Sequence, residues 1–174
     1  MRYPPLILSL ATVAALFGLV ACSRDVPRSS DRIYALGERA EVGHLTYMAY
    51  ETQWLPQIGE GAAARVPQHR FFEVRVSAAN NGAAETIVPN ATLVDDSGNT
   101  YDELSAGDGV PAWLGFVRRA QAGETLQGLI LFDAPPQHYK LRVTDESADL
   151  SATIDIPLSF SSAPLSVPGT DLSR

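Results

Sequence analysis

The sequence predicts an all-β protein, folded as an antiparallel sandwich of about seven or eight strands. Three observations carry that expectation. Apolar and polar residues alternate with a period of two along several short runs; Gly, Pro, Asn and Asp separate those runs; and beyond the first 22 residues no stretch holds a helical apolar stripe for three turns.

In chain order, Leu45 to Ala49 is the first expected strand. In Phe72-Glu73-Val74-Arg75-Val76-Ser77-Ala78 the even positions are apolar and the odd ones mostly polar, which gives a strand with one buried face. Asn80-Asn81-Gly82 ends it with residues that tolerate positive φ. Thr86 to Val94 and Trp113 to Arg119 read as further strands, and Asp96-Ser97-Gly98-Asn99 and Gln121-Ala122-Gly123-Glu124 as turns. From Thr125 to Phe132, Leu126, Gly128, Ile130 and Phe132 share one face, while Leu129 and Leu131 occupy the other. Such a strand must be covered on both sides. Pro135-Pro136 turns the chain, and alternation resumes at Tyr139, Leu141 and Val143. It returns at Ile154, Ile156 and Leu158, where Pro157 on the polar side suggests a sheet edge.

The chain has 174 residues, enough for one ordinary domain, and its 45% hydrophobic content supports a packed core. Residues 1–21 are expected to be a signal peptide. Arg2 is followed by the uncharged run Leu6 to Val20, shorter than the roughly 20 residues a spanning helix needs. Leu19-Val20-Ala21-Cys22 resembles the lipobox of bacterial lipoproteins. That resemblance implies cleavage before Cys22, attachment of lipid to its thiol, acylation (palmitate among the chains) of the new amino group, and attachment to a membrane. Cys22 is also the only cysteine, so it has no internal disulfide partner. Ser23 stands where an aspartate would resemble an inner-membrane retention signal, which points towards the outer membrane, facing the periplasm. Residues 22–35 read as a lipidated cysteine and flexible tether, 36–160 as the folded domain, and the proline-containing 161–174 as a disordered tail.

The order of turns and core positions carries a second resemblance. It runs through Gly43, Phe72 to Val76, Asn80-Asn81-Gly82, Leu93 to Tyr101, Ala122 to Thr125, Gly128, Phe132 and Tyr139-Lys140-Leu141. This resembles the immunoglobulin-like domain of unknown function found in bacterial lipoproteins and secreted proteins, a fold also seen in a mycobacterial secreted immunoprotective antigen. The likeness spans roughly Ala40 to Ile156. It implies an immunoglobulin-like sandwich at the cell envelope, with no catalytic residue to carry over. The loop Gln53 to His69 departs from the pattern.

A net charge of −7 disfavours nucleic acid as a partner, because phosphate neutralisation needs clustered cations. Lys140 is the only lysine, so no phosphate loop of the GxxxxGK type exists. No serine sits in a nucleophile-elbow pattern. His44, His69 and His138 are far apart, and His44 and Met48 on one strand would lie about 13 Å apart, beyond a shared coordination sphere. The weak metal candidates are Asp95, Asp96, Asn99 and Asp102, whose order lacks the alternation of a helical calcium loop. No cofactor is expected. Trp54 and Trp113 are the candidates for interaction loops, at opposite ends of the sandwich if strands simply alternate. The expectation is a lipid-anchored, non-enzymatic envelope protein presenting a surface to another envelope component. A carrier or sensor of a small ligand or metal ion is the alternative.

Overall fold

The computed structural model describes residues 28–158; the leader, Cys22 and the expected tail lie outside them. Eleven strands occur, with no α-helix among the described residues: β1 (Arg28–Tyr34), β2 (Ala40–Val42), β3 (Leu45–Leu55), β4 (Arg70–Asn80), β5 (Thr86–Ile87), β6 (Thr92–Asp95), β7 (Thr100–Asp102), β8 (Arg119–Ala120), β9 (Thr125–Ala134), β10 (Tyr139–Thr144) and β11 (Leu150–Ile156). One sheet runs β1-β11-β10-β6-β7, the other β2-β3-β4-β9, and β5-β8 forms a short ladder beside them. Pairing is antiparallel except between β1 and β11. The all-β sandwich is thus as the alternation predicts.

The core lies between the sheets. Phe72, Val74, Ile130 and Phe132 face Leu93, Tyr139, Leu141 and Ile154, all at most 1% exposed. Burying one such side chain contributes about 1.5–3 kcal/mol. The Tyr139 hydroxyl donates to the Pro135 carbonyl at 2.6 Å, so the proline corner is tied to the first residue of β10. This satisfies the polar end of a buried ring.

The second face of β4 and β9 is covered, as Leu129 and Leu131 require. Phe71, Leu129 and Leu131 pack there with Ile58, Val110 and the half-buried Trp113. The covering chain is also bonded to the open edge of β9. Leu104 donates to the Leu131 carbonyl (2.8 Å), Leu129 to Ala112 (2.9 Å) and Leu114 to Leu129 (2.9 Å). That closes an edge which would otherwise offer unpaired backbone groups. Gly128 permits the approach, since a Cβ there would lie 2.6 Å from the Ala112 carbonyl oxygen.

Several boundaries differ from expectation, each for a physical reason. Trp113 to Arg119 is not a strand. Only Arg119 enters one, Trp113 makes an isolated parallel bridge to Leu129, and Gly115 turns the chain at φ +84°. Its apolar residues go different ways: Trp113 packs on the outer face, Leu114 against the main core, and Phe116 and Val117 are exposed. Thr86 to Val94 breaks into β5 and β6 around Pro89, which has no N–H to donate. Pro157 follows the end of β11, an interior strand, so it marks a terminus rather than an edge. β3 continues to Leu55, which moves Gln53 and Trp54 out of the expected loop. Finally, β1 begins at Arg28, inside the segment read as tether. Its sequence RSSDRIY is polar and irregular, and its pairing to β11 shifts register between Ser29 and Ile33. Backbone pairing with β11 places this strand, and such pairing leaves little trace in hydrophobic pattern.

Candidate functional site

Strand pleat puts Phe71, Glu73, Arg75 and Ser77 on the outer face of β4. Register sets Gln53 and Leu131 on either side of Glu73, and Glu51 and Leu129 on either side of Arg75. One half of this face disappears under the covering chain. The other half opens into a cavity of about 160 Å³ lined by Glu51, Thr52, Gln53, Glu73, Arg75, Pro111 and Leu129. Arg75 donates from Nε to Glu51 Oε2 at 2.7 Å. Glu73 is only 6% exposed, and among the described residues no hydrogen bond or ion pair reaches its carboxylate. Burial raises its pKa above the usual carboxylate range; Arg75 pulls the other way and Glu51 adds to the rise. Its carboxyl opens onto the cavity rather than onto a protein donor.

The two tryptophans lie on opposite faces of one sheet. Trp54 sits in β3 and stacks on Phe72 with ring centroids 4.1 Å apart, against the main core. Trp113 lies on the outer side, its ring so close to Gly107 that a Cβ there would come within 2.1 Å. Its buried Nε1 has no hydrogen-bond partner among the described residues. Both indoles are half-buried packing elements, and the structure does not bring them together.

The four acidic-hairpin candidates do not converge either. Asp95 accepts from Asn99 Nδ2 (2.8 Å), from the backbone of Asn99 (2.8 Å) and Ser97 (2.9 Å), and from Gln137 (3.1 Å). Those bonds, the Asn99 side chain foremost, hold its carboxyl below the usual range. Asn99 therefore offers Asp95 a donor. Asp96 turns away to His138, 3.0 Å from Nδ1, and Asp102 lies exposed at the end of β7. Among the described residues no three His, Cys, Asp or Glu side chains are grouped to hold a metal. His138 links the turn after β6 to β11: its Nε2 lies 2.8 Å from Asp155 Oδ1. Hydrogen bonds that it donates to Asp96 and then to Asp155 raise its pKa, favouring the imidazolium.

Sequence reasoning misses one buried pair. Arg118 (4% exposed) bonds Glu103 (6% exposed), donates from Nε to the Gly115 carbonyl at 2.6 Å, and shares Glu103 with the Ala91 N–H. Burial lowers the Arg118 pKa to about 10, which leaves it charged at neutral pH. An Arg and a Glu fifteen positions apart carry no mark of this in the sequence.

No family model matches the chain, and no curated protein does. Among solved structures, the yjhA protein of Bacillus subtilis aligns with TM-score 0.55 and 13% identity, over 71% of this chain and 99% of that one. A secreted protein of Mycobacterium tuberculosis, MPT63, aligns with TM-score 0.50 and 16% identity, over 73% and 100%. A Bacillus subtilis protein provisionally classed as a lipoprotein, ycdA, aligns with TM-score 0.51 and 14% identity, over 69% of this chain but 38% of its own. At such identities the likeness shows the fold: a β-sandwich shared with bacterial proteins.

Proposed function

We propose that the chain is a lipid-anchored, non-enzymatic protein of the bacterial envelope that presents its sandwich to another envelope component. The observation that carries this reading is the uncharged run closing on Leu19-Val20-Ala21-Cys22, six positions before the first strand at Arg28. A secreted protein and a provisional lipoprotein among the fold neighbours support it. Scaffold roles account for most polar groups. His138, the histidine with the best-placed carboxylates, has both ring nitrogens engaged and none left over to act as a base.

The test is Cys22→Ala in the native host. The parent protein is expected in the detergent-rich phase of a cloud-point partition and the variant in the aqueous phase or uncleaved. Equal partition of both, with equal processing, contradicts the reading. Capture of envelope components by the wild-type protein in mild detergent tests the presentation role, and a clean, empty eluate counts against it.

A further inference from the structure

We propose that the cavity over Glu73 is a binding site for a small primary ammonium group, carried on a short alkyl chain. The inference is independent of how the chain is anchored. Arg75 gives its hydrogen bond to Glu51 and reaches Glu73 only through its charge, which leaves Glu73 as the acidic group of the cavity with no donor bonded to it. Glu73 is 6% exposed, lines the cavity, and lacks a hydrogen-bond donor among the described residues. An ammonium group supplies three N–H donors and the opposite charge, and Gln53 and Glu51 at the rim offer further acceptors. Pro111 and Leu129 form the apolar wall that an alkyl chain needs. The volume, about 160 Å³, suits the guest, since a cavity of about 150 Å³ holds a benzene-sized ligand. A divalent metal suits the site less well, because it wants several converging oxygens. A quaternary ammonium has no N–H to give Glu73.

The test is a titration of the full chain, carboxyl-labelled with ¹³C at glutamate and held in non-ionic detergent. n-Butylammonium chloride is the probe, with n-butanol and tetramethylammonium chloride as controls. The amine is expected to shift the Glu73 carboxyl resonance saturably towards its ionised position and to lower its titration midpoint by about one pH unit, a tenfold preference for the ionised form. Binding by the wild type should weaken as pH falls below that midpoint, which needs no variant. Glu73→Gln, which removes the reporting carboxyl, should abolish the saturable amine-induced shifts of the backbone amides around the cavity while the rest of the backbone spectrum persists. Three results overturn the proposal. One is an unchanged midpoint up to about 50 mM amine, well above the millimolar affinity expected of so small a ligand. The second is an equal response to n-butanol, and the third is undiminished binding by a folded Glu73→Gln variant.

Discussion

At the scale of single residues, the account turns on groups whose charge is set by what surrounds them. His138 gains two carboxylate partners on folding, so its folded pKa is raised. The stability it contributes is therefore complete below its unfolded value of about 6.5 and is lost as pH rises through the folded value. Asp96, with its pKa lowered chiefly by the His138 hydrogen bond, contributes above its ordinary carboxylate range and loses that contribution as pH falls through the folded value. His138→Gln should melt below the wild type at pH 5.5–6 (about the lower edge of the window), and the gap should narrow as pH rises towards about 8. Solvent screening at this partly exposed site keeps the gap small. A gap that is constant across the range contradicts the assignment.

The Arg118–Glu103 pair behaves differently because both partners are buried. Glu103→Ala leaves a guanidinium without its carboxylate and should cost about 3–5 kcal/mol in urea denaturation. Adding Arg118→Met to it should recover part of that loss, since two apolar side chains need no partner. Additive losses in the double variant would argue that the pair is not coupled.

At the scale of elements, the outer cover of β9 depends on glycines. Gly107→Ala forces the Trp113 ring away, because the added Cβ would come within 2.1 Å of it. In a Trp54→Phe background, the remaining tryptophan emission should shift to the red, with a stability loss of about 1–3 kcal/mol. An unshifted spectrum contradicts the placement of Trp113. Gly128→Ala should instead loosen the Leu104–Leu114 edge, seen as faster amide exchange at Leu129, whose N–H bonds Ala112.

Elements with strict alternation were legible in the sequence. Phe72 to Ala78, Thr125 to Phe132 and Tyr139 to Thr144 all lie in strands, and the doubled apolar face of β9 correctly demanded a cover. Legibility failed where backbone pairing, rather than hydrophobic pattern, decides the structure. Polar β1 is held by β11, and the chain from Leu104 to Leu114 is held by the edge of β9. The candidate cavity was illegible for a related reason. Glu73 occupies a position that alternation assigns to solvent, yet it is buried in a cavity that it shares with the distant Pro111. Trp54 and Trp113 were noticed for their size, but whether each ring faces core or solvent depends on pleat and on Gly107.

At the scale of the whole molecule, two sheets around one core make up the folded body, and the edge strand β9 is covered on its outer face and along its edge. If Cys22 is the anchor, the six positions to Arg28 span at most about 20 Å, so this body would stand close to the bilayer. Far-ultraviolet circular dichroism of the intact chain should show a predominantly strand spectrum. The central claim is tested most directly by intact mass measurement on protein extracted from native membranes. The account predicts a polypeptide that starts at Cys22 and carries acyl chains on that residue. A species retaining residues 1–21 with an unmodified thiol at Cys22 would contradict it.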